Sequence, residues 1–536
     1  MCGIFAIILN NSETSIKQIY DSFDMIKNRG PDSYQIKYNK NFIFFFTRLS
    51  INDLSNYASQ PFVLNDNYLM CNGEIFNYKK LVKQYNLQLN SNSDCECIIH
   101  LEKYCGFEET VNMLDGDFAI VLYTPNKVYF ARDRIGVRPL YYGYTKNGNI
   151  VFASYARALS LSCTDIQEVL PGWGEYDNKT KLLTHYTYDF LKKERYIDTH
   201  EHVIKELLVT SVKKRLLSDR PIGCLLSGGL DSSLITSILC KQIDASNVKT
   251  YSIGMIGSED LKHARIVSDY LGTKHTEINF TAEEGFGAIK NVIRDLESYD
   301  ITTIRASVGM WLAAKWIKEN TEDVVLYSGE GADEIFCGYL YFHYAPNEDE
   351  LGKESRRLIK DIHQYDVLRA DRCISSHGLE LRVPFLDRDL VEYIQNSKSE
   401  YLKPKNNIEK WILRNSFKNK YLPDEVLWRR KDGMSDGISG NNGKKWYEQI
   451  AEFVDPLITD EECKNFPSKE ACYYKKIFDE IFPTYQPNFY YWLPKWIECN
   501  GDPSGRILKV FNQNNNINLH SNHSNHFSLD DDNEDI

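Results

Sequence analysis

Cys2 stands directly behind the initiator methionine. Methionine is normally trimmed before a small residue, and Cys2 would then carry a thiol and an α-amine on one Cα. An α-amine has an unperturbed pKa of about 7.7–8.0, so near neutral pH it can take the thiol proton and later return it to a leaving group. A second-position cysteine needs partners before it means anything. Arg29-Gly30-Pro31-Asp32, Arg48-Leu49-Ser50-Ile51, Asn72-Gly73-Glu74 and Ser93-Asp94 follow it in order. Singly, Asn72-Gly73 reads as a β-turn, and Arg48 and Asp94 as surface ion-pairing groups. All four in order within one sheet-rich half outweigh that reading.

A second cluster reads Leu225-Leu226-Ser227-Gly228-Gly229-Leu230-Asp231-Ser232-Ser233, with an apolar run before it and the apolar-periodic segment Leu234 to Leu239 after it. Strand, glycine turn and helix start make an anion cradle. Two glycines let backbone amides approach a pyrophosphate at the positive end of the helix, while Ser227, Ser232 and Ser233 add hydroxyls. It is not a Walker A loop: the similar Gly443-Lys444 has Ile438 where the first Gly should be and Lys445 in place of Ser or Thr. Asp231 beside a pyrophosphate would repel it without a divalent cation, which implies Mg²⁺. Asp333, in Ser328-Gly329-Glu330-Gly331-Ala332-Asp333-Glu334, is expected as the second metal carboxylate, although alone this loop would read as a solvated turn. Lys431, in the polar stretch that begins at Trp428, offers a mobile cation over phosphates, where a lone lysine is by default a solvated one.

These groups need scaffolds, and the chain supplies two textures. Through about Tyr188 there are short β-prone runs (Ile4 to Leu9, Phe42 to Thr47, Tyr68 to Cys71, Phe118 to Tyr123, Lys127 to Ala131, Asn149 to Ala153) with helical stretches at Ser15 to Lys27 and Glu96 to Tyr104. This half reads as α+β, antiparallel sheets with covering helices. A polar linker at 191–201 precedes Ile204, Leu207, Leu208, Val212 and Leu216 at helical spacing. Continuous apolar runs then alternate with helices (Ile222 to Leu226, Thr250 to Ile253, Val324 to Tyr327), as in an α/β domain with a buried parallel sheet, mostly helical after Lys353. Both glycine loops then leave the C-terminal ends of strands, where open α/β sheets bind ligands. The resulting division is 1–190, 191–201, 202–510 and an Asn-, His- and Asp-rich tail at 511–536, too poor in apolar residues to order itself.

Net charge is −12, from 63 basic and 75 acidic residues, and only short basic clusters occur, which disfavours a nucleic-acid partner. No run of about 18 apolar residues and no secretory signal is visible, so no membrane role is expected. The 13 cysteines are scattered, and Cys95-x-Cys97 lacks both redox spacing and a second zinc half-site. An internal protein with reduced thiols is expected.

Together with Met1-Cys2-Gly3-Ile4, the first set resembles the class II glutamine amidotransferase domain of the N-terminal nucleophile hydrolases, and the second resembles the pyrophosphate loop of the ATP pyrophosphatases. With Tyr299 to Ser307, Gly338 to His343, His377 to Asp387 and Asp502 to Arg506, the chain from Met1 to about Arg506 is similar to the glutamine-hydrolysing asparagine synthetases. That resemblance implies that Cys2 attacks L-glutamine, held by Arg48, Leu49, Ser50, Ile51, Asn52, Glu74 and Asp94, with Asn72 and Gly73 as oxyanion hole. It also implies that Leu225, Ser227, Gly228, Gly229, Asp231, Ser232, Ile253, Ser328 and Gly329 take ATP, that Asp231 and Asp333 hold Mg²⁺, and that Glu330 and Lys431 serve the adenylation of L-aspartate. A cytoplasmic homodimer is implied in the same way. Another glutamine-dependent adenylating ligase, or a non-catalytic descendant, is the alternative, the latter disfavoured by the intact set. Departures are Asn28 for His, Phe76 for Tyr, Ala332 for Ser, and Asp432-Gly433-Met434 for Glu-x-Phe, which should loosen the loop after Lys431.

Overall fold

The computed structural model describes residues 1–10, 15–188, 190–191, 196–431, 433–440 and 443–497. The tail at 511–536, the motif Asp502 to Arg506 and Asp432 lie outside the described residues.

The first half is two six-stranded antiparallel sheets. Strands β1 (Gly3–Ile8), β2 (Ser33–Tyr38), β3 (Phe42–Arg48), β8 (Tyr141–Thr145), β9 (Ile150–Ala153) and β10 (Cys163–Glu168) form one, in the order β10-β8-β9-β1-β3-β2. Strands β4 (Phe62–Leu64), β5 (Asn67–Ile75), β6 (Gly116–Tyr123), β7 (Lys127–Arg132), β11 (Gly172–Asp177) and β12 (Leu183–Thr187) form the other, in the order β12-β11-β7-β6-β5-β4. Side chains alternate across a strand. On β1, Ile4, Ala6 and Ile8 therefore meet Met70, Ala119, Val121 and Phe130 between the sheets, while Phe5 and Ile7 face outward to Phe23 and Leu159 of covering helices. Both faces of β1 are buried, which is why its sequence is apolar throughout.

The second half holds a five-stranded parallel sheet, β13 (Ile222–Leu225), β14 (Lys249–Gly254), β15 (Lys274–Asn279), β16 (Val325–Tyr327) and β17 (Glu380–Arg382), in the order β15-β14-β13-β16-β17. The chain runs outward from β13 through β14 to β15, then returns to start again at β16. The order therefore reverses between β13 and β16, and the crevice outside that switch point is where such sheets bind ligands. The two glycine loops leave these two strands.

The halves share one apolar core, in which Met1, Phe5 and Tyr155 are continuous with Leu381, Phe385 and Tyr485. Buried ion pairs cross the same boundary: Arg29 to Asp371 at 2.8 Å, Arg157 to Asp295 at 3.2 Å and Arg215 to Asp117 at 3.4 Å. No described helix is long and apolar enough to cross a membrane.

Candidate active site

The first cluster gathers where the chain enters β1. The Cys2 amide donates to Asn72 Oδ1 at 2.9 Å, and the Cys2 carbonyl accepts from Arg29 Nε at 2.9 Å. Cys2 Sγ lies 3.8 Å from the Leu49 carbonyl. Burial raises the thiol pKa, so the sulfur rests protonated and needs a base. Asn72 is wholly buried on β5, and its Nδ2 has no hydrogen-bond partner among the described residues. A buried amide donor left open in this way is ready to receive an incoming oxygen. Gly73 follows because a Cβ there would meet the Asp117 carbonyl oxygen of β6 at 2.1 Å.

The turn Arg29-Gly30-Pro31-Asp32 sets the end of β3. Asp32 accepts from the Ser50 amide at 2.8 Å, and the Asp32 amide donates to the Arg48 carbonyl at 3.0 Å. Arg48 is buried and donates to the carbonyls of Ser55, at 2.7 Å, and Asp53. Leu49 and Ile51 pack their side chains against Val324 and Val325 at the seam between the halves, so they face a ligand through their backbone only. Asn52 Nδ2 donates to Glu74 and, at 3.2 Å, to Asp94, whose other oxygen accepts from the Ile75 amide at 2.6 Å. Burial, and then the neighbouring Asp94, push the Glu74 carboxyl well above the usual carboxylate range; burial also raises Asp94. Two carboxyl groups held together out of water attract a cation. Arg382, from β17 of the other half, comes within 3.8 Å of Glu74. Of the departures, Phe76 lies 4.5 Å from the Arg215 guanidinium, which stacks on its ring.

The second cluster lines a cavity of about 270 Å³ at the switch point. Leu225, Ser227, Gly229, Asp231, Ser232, Ile253, Ser328, Gly329, Glu330, Asp333 and Lys431 all face it. Gly228 and Ser233 do not line it. A Cβ at Gly228, with φ +70°, would strike the backbone of His263 and Ala264 at 2.4 Å, so this glycine serves helix packing, and Ser233 is wholly buried on the inner side of the helix Leu230–Cys240. Gly329 lets the two loops touch, since its Cβ would meet the Ser232 amide at 2.7 Å.

The charges of Asp231 and Asp333 are balanced by two lysines. Lys410 Nζ sits 2.6 Å from both Asp231 and Asp333, and Lys431 Nζ lies 2.5 Å from Asp333. Burial opposes ionisation of Asp333, but Lys410 and Lys431 bring its pKa down to about 2. Against burial, Asp333 and Asp231 raise the Lys431 ammonium above its ordinary value. Both groups are therefore charged, and Lys431 is pinned rather than mobile. Asp231 Oδ1 is buried with no hydrogen-bond partner among the described residues. Among those residues no three His, Cys, Asp or Glu side chains converge as a metal centre. An orphaned carboxylate oxygen opposite a second carboxylate nevertheless suits a hard divalent cation that takes its other ligands from phosphate and water. Glu330 accepts from Arg369 at 2.7 Å; burial raises its pKa and Arg369 opposes the rise.

Lys410 and Arg369 carry no local sequence signal, and Arg382 lies in the motif His377 to Asp387 without a role read for it. Lys410 precedes the helix Trp411–Ser416 in a left-handed conformation, φ 55°, a strained position for a lysine and of the kind that clusters at functional sites.

Comparisons with known proteins match both parts of the chain. Residues 203–352 and 344–496 match the asparagine synthase family, and residues 1–180 match the glutamine amidotransferase domain family. The chain is 40% identical to the glutamine-hydrolysing asparagine synthetase of Gallus gallus, over 95% of this chain and 99% of that protein. To the Homo sapiens enzyme of the same name it is 39% identical, covering 95% and 98%. A probable asparagine synthetase of Acanthamoeba polyphaga mimivirus is 40% identical, covering 95% and 100%.

Proposed function

Because the chain belongs to the family of glutamine-hydrolysing asparagine synthetases, we propose that its two clusters divide one synthesis between them. It is a carbon–nitrogen ligase that makes asparagine, with glutamine as amide donor and ATP as the source of energy. Residues 1–190 are assigned to glutamine hydrolysis and residues 202–510 to activation and amidation of aspartate.

The first half rests chiefly on the open donor of Asn72 beside Cys2. Arg48 pairs with the glutamine carboxylate through its remaining donors, and Glu74 and Asp94 take its ammonium. Asn52 and the Leu49 to Ile51 backbone complete the binding wall. Cys2 Sγ attacks the amide carbon, and Asn72 Nδ2 with the Gly73 amide holds the oxyanion. The thioester forms as ammonia leaves with a proton from the base, and water then releases glutamate.

That base is the α-amine of Cys2, which must be free. In a chain that retains Met1, the Cys2 nitrogen is an amide and can neither accept nor return a proton. The Met1 amine is buried, burial lowering its pKa to about 6, and it lies against the Leu379 carbonyl. Glutaminase activity is therefore expected to track the fraction of chains that have lost one methionine by intact mass. A permanent N-terminal tag should silence it and leave ammonia-driven synthesis unaffected, whereas full glutamine-dependent activity from a Met1-retaining chain would exclude the mechanism.

In the second half, Ser227, Ser232 and the Gly229 amide hold the ATP phosphates at the start of the helix Leu230–Cys240, and Leu225, Ile253, Ser328 and Gly329 line the nucleotide's berth. Asp231 and Asp333 are the residues that would hold Mg²⁺, which when bound offsets phosphate charge. Glu330, oriented by Arg369, faces the aspartyl-adenylate, and Lys431 stabilises charge on the phosphates as pyrophosphate leaves. A cytoplasmic homodimer is proposed on family likeness alone.

Incubation with glutamine, aspartate and Mg-ATP should give asparagine, AMP and pyrophosphate together, and EDTA should stop it. ADP and phosphate as products would rule out the adenylate.

A further inference from the structure

The helix Asp366–Ser375 touches both sites. Arg369 and Asp371 are two residues apart, which on a 3.6-residue turn places their side chains about 200° apart around the axis, on opposite faces. Arg369 reaches into the synthetase cavity and holds Glu330 at 2.7 Å while also pairing with Asp366 at 2.6 Å. Asp371 faces the other way. It accepts from Arg29 Nη1 at 2.8 Å and lies 3.3 Å from Arg138, and Ser375, one turn on, accepts from the same Arg29 nitrogen at 3.0 Å. Arg29 Nε in turn holds the Cys2 carbonyl at 2.9 Å. All three arginines and Asp371 are buried, so none of these bonds is diluted by water.

We infer that Asp371 is a positioning residue for the Cys2 nucleophile and that its helix ties the placement of Cys2 to the state of the Glu330–Arg369 pair. Asp371 touches neither substrate; it acts through Arg29. When aspartate and nucleotide enter the cavity and the contacts of Glu330 change, Arg369 shifts with them, and a helix moving as a rigid rod carries Asp371 and Ser375 with it. The Cys2 carbonyl follows through Arg29. This inference rests on the assignment of Cys2 and Glu330 given above.

The test is a kinetic comparison of the processed wild-type chain with Asp371→Asn, which keeps the shape and removes the charge. Glutamate release is measured alone and with aspartate plus a non-hydrolysable ATP analogue. The wild type is expected to respond to the second-site ligands by at least twofold. In D371N that response should disappear and glutaminase kcat should fall about tenfold, with KM for glutamine and ammonia-dependent synthesis both within twofold of wild type. Glutamate release separates the two readings: a wild type that releases none contradicts the glutaminase assignment, whereas an unchanged response in D371N contradicts only this inference. A parallel fall of both activities in D371N would reduce Asp371 to a structural role. Should D371N not fold, Ser375→Ala, which removes the 3.0 Å bond to Arg29 together with the same hydroxyl's contacts to Tyr155 at 3.3 Å and Asp371 at 3.5 Å, should weaken the response in the same direction, and a full response in S375A overturns the inference.

Discussion

Cys2→Ala is expected to abolish glutamine-dependent asparagine formation, by on the order of 10³-fold or more, while synthesis from ammonium salts stays within twofold of wild type. Loss of a nucleophile removes the covalent pathway altogether, and what survives is the small rate that binding and oxyanion donors give to water. Among the described residues no second thiol is placed to step in. Among the neighbouring cysteines, Cys95 points its Sγ at the Gly73 carbonyl at 3.4 Å, and Cys97 is buried against the Asp94 carbonyl at 3.1 Å. Packing should hardly change, because the residue loses only one sulfur and its backbone bonds to Asn72 and Arg29 remain. Loss of both activities would mean that the two sites are not separable.

Lys431→Ala is expected to do the reverse, cutting aspartate-dependent pyrophosphate release by about 10²–10³-fold, the scale seen when one preorganised charge is withdrawn from a transition state. Glutamate release measured without nucleotide should be unchanged. The lysine is fixed by Asp333 at 2.5 Å and by its own amide on Glu409 at 2.8 Å, so its charge is already aimed before substrate arrives. Lys410 remains paired with Asp333 in the variant, so the carboxylate is not stranded and the fold should survive. AMP formation at the wild-type rate would remove Lys431 from the adenylation site.

Much of the scaffold could be read from the chain because strong local signals coincided with it. Gly3–Ile8, Phe42–Arg48 and Gly116–Tyr123 are apolar on both faces, and the helix Leu230–Cys240 follows a glycine turn. Two strands of the parallel sheet escaped. β15, Lys-His-Thr-Glu-Ile-Asn, lies at the sheet edge and keeps polar side chains, and β17 is three residues long with charged ends that find buried partners. The motif residues were legible wherever glycine marks a close approach or a carboxylate sits beside one. Lys410, Arg369, Asp371 and Arg382 were not. Their pairings join distant parts of the chain, 179 residues apart where Lys410 meets Asp231 and 342 where Asp371 meets Arg29, and neighbouring residues do not record them. Gly228 shows a second demand on a motif glycine, since the helix of His263 and Ala264 packs where its Cβ would be.

The seam between the halves is built as interior, with Leu49 and Ile51 set against Val324 and Val325 and with arginine–carboxylate pairs sealed inside it. Opening it like a book would wet an apolar surface, at about 25 cal/mol for each Å² exposed, while water would offset most of the pairing lost by the charges. A shared apolar core of this kind works against catalytic cycling by domain swing, the default for loosely docked modules. Ammonia made on one side would then cross a joint that need not open, and the two half-reactions would be matched by small shifts such as that of the helix Asp366–Ser375.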